Sequence, residues 1–217
     1  MNDGKVTAVV AVRKGSQRVP DKNIRPFGES NLLQMKIDVL KQVEGLDEIV
    51  INSDCDHMLE VGKSNNCITH KRNQKYASSQ TSNGSFHHHI AKVTNTDHIF
   101  LAPVCSPFIS VETHEKAIFD YMNSDFDSMT SVDIIKNHLW LGDKPLNYSL
   151  DDVPNSQDLP NVMRLNYGIS IVNRNTMLNK RGLVGERPTF IILNDRESVD
   201  IDTMFDFNFA EYLYKRG

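Results

Sequence analysis

The stretch Val6-Thr7-Ala8-Val9-Val10-Ala11-Val12 runs without a break into Arg13-Lys14-Gly15-Ser16-Gln17-Arg18-Val19-Pro20-Asp21-Lys22-Asn23. The first half is a short apolar run rich in β-branched residues, the pattern of a strand buried on both faces. The second half is a basic Gly-Ser loop. Glycine lets a backbone approach a ligand closely, and loop N–H groups can point at phosphate oxygens. Arg13, Arg18 and Lys22 would add charge-assisted contacts. In an open α/β sheet, ligands bind just beyond the carboxyl ends of the strands, which is where this loop falls. The loop is neither a Walker loop nor a dinucleotide fingerprint. On composition alone it reads either as a phosphate site or as a solvated basic surface.

Working outward, the chain alternates strands and helices. Asn31 to Val43 has the apolar spacing of a helix, Glu48 to Asn52 of a strand, and Cys55 to Lys63 of a second helix. Cys67-Ile68-Thr69 reads as a short strand, and Ser79 to Ser82 as a capped helix start leading through Phe86, Ile90 and Val93. His98 to Ala102 is a strand that ends in the turn Pro103 to Pro107; Glu112 to Met122 is helical, and Ser128 to Val132 is a strand. After a break, Asn166 to Val172 and Thr189 to Leu193 are strands, and Phe205 to Tyr214 is a final amphipathic helix. This alternation predicts a layered α/β fold with parallel pairing. The break, residues 134–161, carries Trp140, Gly142, Pro145, Pro154 and Pro160 without periodicity. It is too long for an ordinary connection and predicts an active-site flap or a protruding subdomain.

Composition narrows the class. At 217 residues the chain fits one domain, 1–217. A net charge of -4 argues against bulk nucleic-acid binding, which needs a basic field. No apolar run approaches the roughly 20 residues that span a bilayer, and the start of the chain is not a signal peptide. Cys55, Cys67 and Cys105 are an odd, widely spaced set without metal-ligand spacing, as in reduced core residues of a cytoplasmic protein.

A second constellation sits near the C-terminus, in Ser198-Val199-Asp200-Ile201-Asp202-Thr203. Carboxylates two apart on an extended segment point to one side. They repel unless a cation joins them, and Mg2+ typically takes one or two carboxylates plus substrate oxygens. The plainer reading is a helix cap at Asp202 or Thr203. A basic loop beyond strand one together with this pair is the kit for phosphoryl or nucleotidyl transfer.

Arg13-x-Gly15-Ser16, Pro20-Asp21-Lys22-Asn23 and Ser198 to Thr203 with Asp206-Phe207 resemble the acylneuraminate cytidylyltransferases. Weaker matches are Lys71-Arg72, Ser106-Pro107-Phe108 and Arg164 to Gly168. The resemblance implies a three-layer, Rossmann-like nucleotidyltransferase fold with a mostly parallel sheet and a dimerisation arm at 134–161. It also implies CMP transfer from CTP to a small acidic acceptor of sialic-acid type, with pyrophosphate released, in a homodimer. By position, Arg13, Gly15, Ser16, Arg18, Lys22 and Asn23 would bind the nucleotide, with Arg72 at the cytosine end. Asp200 and Asp202 would bind Mg2+, and Arg13, Lys22 and Asp202 would carry catalysis. Arg164 and Asn166 would reach the acceptor; their plainer reading is a loop ion pair.

The departures from that pattern fall mostly on the acceptor side. Gln17 replaces a lysine in the first loop. Pro103 stands at or near the position of a glutamine that binds the sugar, and Pro154 to Pro160 lacks an arginine. A KDO or phosphonate acceptor, a UTP or GTP enzyme, and a catalytically reduced nucleotide-binding homologue are the alternatives. His87-His88-His89 cannot converge on one ion, because helical neighbours point about 100° apart. Asp54 suits a helix cap, and Ser106 lacks a neighbouring base.

Overall fold

In the computed structural model, which describes residues 1–217, the basic loop leaves the carboxyl edge of a seven-stranded sheet. In chain order the elements are β1 (Val6–Val12), the hairpin strands β2 (Pro26–Phe27) and β3 (Ser30–Asn31), and α1 (Leu32–Leu40). Then come β4 (Glu48–Ser53), α2 (Asp56–Ser64), β5 (Ile68–Lys71), α3 (Asn83–Val93), β6 (His98–Leu101) and α4 (Val111–Met122). The rest are β7 (Ser128–Ile135), β8 (Trp140–Leu141), β9 (Lys144–Pro145), β10 (Val162–Asn173), α5 (Arg174–Lys180), β11 (Pro188–Ile192) and α6 (Met204–Tyr214).

The sheet order is β11-β7-β10-β6-β1-β4-β5. Strands β6, β1, β4 and β5 pair in parallel, as do β7 and β11. Strand β10 runs antiparallel to both β6 and β7, so the sheet is mostly parallel, as expected. Chain direction explains the exception. The segment after β7 leaves the sheet as a projection and returns directly beside β7, as a hairpin must.

Period-two alternation along β1 splits the core into two layers. Val6, Ala8, Val10 and Val12 pack with residues of α1, α2, α4 and α6, while Val9 faces Ile90 of α3 and Met177 of α5. The three layers follow from that split. Helix starts match their sequence signals: Asn31, Ser82 and Ser110 accept N–H groups of α1, α3 and α4. Thr203 forms a capping box with Asp206 at α6, so Thr203 is the cap and Asp202 is not.

The segment expected to form an arm, residues 134–161, has its base built from paired strands. Ile135 of β7 opposes Val162 of β10, and beyond them lies the small β8–β9 hairpin. Trp140, Leu141, Leu146, Leu150 and Val153 on it are exposed. No helix is long and apolar enough to cross a membrane.

One core group makes stability depend on pH. His114 of α4 is buried against Phe100, its Nδ1 is 2.6 Å from the Ser110 carbonyl, and its Nε2 has no partner. Burial, then the nearby Lys36 charge, pushes its pKa from 6.5 to about 3. Between those values the unfolded chain binds the proton and the folded chain does not, so stability falls as the solution is acidified through this window. We expect His114 to contribute a loss of about 2 kcal/mol between about pH 7 and about pH 5. Urea titrations of wild type and His114→Gln at the two pH values measure it; equal pH dependence in both proteins would exclude this role.

Candidate active site

Four neighbouring parallel strands end side by side and deliver the site. Val12 ends in register with Ser53, and Ser53 with Lys71. Val9 pairs with Leu101, and the Ala102 N–H donates to the Val9 carbonyl at 3.1 Å. Arg13, Asp54, Arg72 and Pro103 therefore leave one edge of the sheet together, as ligand sites in α/β sheets require.

The basic loop is held open by its own bonds. Gly15 and Asp21 adopt left-handed backbone, with φ of 77° and 53°. A side chain at Gly15 would meet nothing within 4 Å, so it is this backbone conformation that calls for glycine. Val19 is fully buried and pins the middle of the loop. The Lys14 N–H donates to Asp54 at 2.9 Å, so Asp54 tethers the loop and does not cap a helix. Asn23 is buried, and its amide donates to the Arg13 carbonyl at 3.0 Å, stapling the two stems of the loop.

Two cavities adjoin here. The narrower, about 310 Å³, is lined by Arg13, Ser16, Arg18, Lys22, Asn23 and Asp202 among others. Arg18 donates to Asp202 Oδ1 at 2.8 Å; Lys22 Nζ lies 4.0 Å from the same oxygen and donates to the Ile201 carbonyl at 2.6 Å. The wider cavity, about 560 Å³, has Phe86, Leu183 and Val184 on its walls with His87, Asn166, Arg181 and Asp200. Pro103 and Cys105 line both and form the partition between them.

The carboxylate pair is close but divided. Asp202 faces the basic loop, whereas Asp200 lines the wider cavity beside the Cys105 thiol. The segment before α6 is irregular, so strand alternation does not set the directions of these two side chains. Burial raises the Asp200 pKa, and the Asp202 charge adds to the rise against the opposing pull of the Cys105 thiol. Burial, with Asp200 beside it, pushes the Cys105 thiol up to about 12. The thiol stays protonated, and the carboxylate oxygens are the donors facing the partition. Below the partition, buried Lys36 donates to the Ser106 carbonyl at 2.9 Å and supports that turn.

Other expected residues take different places. Gly15 shapes the loop. Arg13 reaches the Ala77 carbonyl at 3.0 Å from the edge of the narrower cavity. Arg72 lines neither cavity: it is 4% exposed, donates to the Val12 carbonyl, and lies 5.3 Å over the Phe86 ring. Arg164 is exposed and bound by Asp133, the plainer of its two readings. Asn166 also bonds Asp133, yet lines the wider cavity. Burial acts against the Asp133 charge, but hydrogen bonds from Asn166, Arg164 and Ser198 carry its pKa below the ordinary value. His87, His88 and His89 diverge, to the wider cavity, the Leu178 carbonyl and the Tyr76 ring. Asp54, Cys105 and Arg181 went unread in the sequence as site residues; only the spatial order of the strands reveals them.

The three layers, the strand order and the loop at the carboxyl edge define an α/β nucleotidyltransferase fold. A cytidylyltransferase family model matches residues 7–157, and the chain belongs to that family. Among solved structures it is similar to a CMP:2-keto-3-deoxy-manno-octonic acid synthetase complexed with CTP. The identity is 13%, the coverage is 98% of this chain and 99% of that one, and the TM-score is 0.73. A 4-diphosphocytidyl-2C-methyl-D-erythritol synthase from Anaerococcus prevotii gives 14%, 98%, 99% and 0.73 in the same order. A cytidylyltransferase from Leptospira borgpetersenii gives 17%, 98%, 87% and 0.63. At such identities the likeness is one of fold. The sequence matches none of the curated proteins.

Proposed function

We propose that this chain transfers CMP from CTP to a small acidic acceptor, a sugar acid of nonulosonic or KDO type, and releases pyrophosphate. The observation that carries the reading is the meeting of Arg18 and Lys22 with Asp202 in one cavity across 184 residues of chain. Arg13, Ser16, Arg18 and Lys22 would grip the triphosphate through charge-assisted bonds. Asn23 and Asp54 would keep the loop shaped for it. The acceptor would occupy the wider cavity, with its attacking hydroxyl at the Pro103–Cys105 partition. Holding both reactants on one rigid sheet edge lowers the entropic part of the barrier. Lys22 would stabilise charge that grows on the leaving pyrophosphate.

The donor set suits Mg2+: carboxylate oxygens from Asp200 and Asp202 beside a thiol held protonated, with phosphate oxygens and water to complete six ligands. When bound, Mg2+ would supply positive charge beside the α-phosphate and the leaving group. The exposed apolar side chains of the projection, among them Trp140, Leu141 and Leu146, support its proposed role as the contact of a homodimer, which the mass in solution measures.

A pyrophosphate-release assay with CTP, Mg2+ and a panel of nonulosonic acids, KDO and phosphonates tests the reading. Turnover of a sugar acid is the expected result. CTP-dependent thermal stabilisation without turnover of any acceptor would point instead to a catalytically reduced nucleotide-binding protein. UTP or GTP preferred over CTP would replace the donor assignment.

A further inference from the structure

The wider cavity carries one formal cation. Arg181 ends α5 in left-handed backbone, φ 56° and ψ 36°, with its N–H bonded to the Met177 carbonyl at 3.0 Å. Its side chain makes no ion pair and no hydrogen bond within the chain, unlike Arg18 and Arg164, which are held by Asp202 and Asp133. The segment bearing it is fixed by close packing: a Cβ on Gly84 of α3 would lie 3.3 Å from the Arg181 carbonyl. His87 beside it adds no charge near neutral pH, because burial lowers its pKa, and its Nδ1 is buried without a hydrogen-bond partner. Asp200 is the one carboxylate on the cavity wall, and Phe86, Leu183 and Val184 make much of the rest apolar.

We propose that Arg181 selects the acceptor by taking its single carboxylate, and that the wider cavity admits monoanionic acids in preference to dianionic phosphonates. The inference rests on the cytidylyl-transfer reading above. One cation satisfies one negative charge. A second negative charge on the acceptor would find no second side-chain cation on the wall, and the metal proposed at Asp200 and Asp202 is already shared with the CTP phosphates. The planar guanidinium fork matches a carboxylate in two hydrogen bonds, so lysine is an imperfect substitute. Arg181 therefore takes the acceptor-reading part expected of Arg164, which Asp133 already occupies.

The test compares wild type, Arg181→Met and Arg181→Lys with CTP and Mg2+, using KDO, N-acetylneuraminic acid, the methyl ester of whichever acid is turned over, and 2-hydroxyethylphosphonate at mildly alkaline pH. Arg181→Met is expected to raise the acceptor KM about 30-fold while the CTP KM changes less than about twofold. Arg181→Lys should recover part of the loss. The methyl ester should be a poor substrate for wild type and no poorer for Arg181→Met. The phosphonate should be used at least about 30-fold less efficiently than the acid. An unchanged acceptor KM in Arg181→Met, or a phosphonate used as well as the acids, overturns the proposal. If no acid is turned over, saturation-transfer NMR of KDO and N-acetylneuraminic acid with CMP present decides. Binding to wild type that is lost in Arg181→Met supports it, and equal binding, or binding to neither, overturns it. Failure to bind CTP would instead sink the cytidylyl-transfer reading, so the two failures are distinct.

Discussion

Replacing Asp202 by alanine is expected to lower kcat by about a thousandfold while CTP still binds. The carboxylate faces the basic-loop cavity, 2.8 Å from Arg18 and 4.0 Å from Lys22. In the proposed mechanism it is one of two metal ligands, and its loss withdraws charge stabilisation from the step in which negative charge grows. Binding of CTP without metal should hold or improve, since removing the anion leaves both cations free for the triphosphate. Folding should be little affected: the side chain is 47% exposed, and an exposed pair contributes at most about 1 kcal/mol. The capping box survives, because its two bonds run between Thr203 and Asp206 and neither uses the Asp202 side chain. Single-turnover pyrophosphate release, paired with CTP-induced melting shifts in chelator, separates the effects. A kcat within tenfold of wild type would remove Asp202 from the chemistry, and loss of CTP binding in chelator would make it a structural residue.

The second large effect is expected at Arg72, and there it combines stability with binding. Its guanidinium is buried, donates to the carbonyl at the end of β1 and covers the Phe86 ring. Burial lowers its pKa, against the opposing pull of Asp54. Arg72→Leu removes a desolvated cation, which is favourable. It also strips the Val12 carbonyl of its donor and removes a positive charge from the vicinity of Asp54, which is not. The net loss should be about 2 kcal/mol, or about 6 °C in Tm for a chain of this size. Because Val12 is the stem of the loop proposed to bind the triphosphate, CTP affinity should fall at least about tenfold. Arg72→Lys should retain charge without the fork and land between the two. Unfolding curves and CTP titrations of both variants measure this. An Arg72→Leu protein as stable as wild type and binding CTP normally would show the residue to be dispensable.

Local chemistry was legible in the sequence where it concerns one segment. The apolar run of β1, the glycine-bearing basic loop after it and the cap before α6 each follow from residues a few positions apart. What escaped is set by partners far along the chain. The direction of β10 depends on the excursion that precedes it. Helix α5 has one buried residue, Met177, and no apolar stripe to announce it. Asp133 claims Arg164 from across a strand pair, and a charged residue shows nothing of that in its own neighbourhood. Arg181 reads in sequence as an ordinary residue after a short helix; only the packing of α5 beside α3 places it on a cavity wall. Asp200 and Asp202 were found as a pair, but their division between two cavities depends on where Cys105 and Arg18 lie.

The contact between Arg18 and Asp202 also bears on how the protein is made. A ribosome that has released β1 and its loop must still add most of the chain before the opposing carboxylate exists, since 184 positions separate the partners. Until then the loop cations have no acidic partner from α6's approach, and Lys22 has no Ile201 carbonyl to hold it. Closing a loop of that length is slow to accrue in entropy, growing only as about three-halves RT times the logarithm of its length, yet it cannot precede synthesis. The nascent protein can therefore assemble the strands β1, β4 and β5 early, while the basic-loop cavity is completed among the last events of folding.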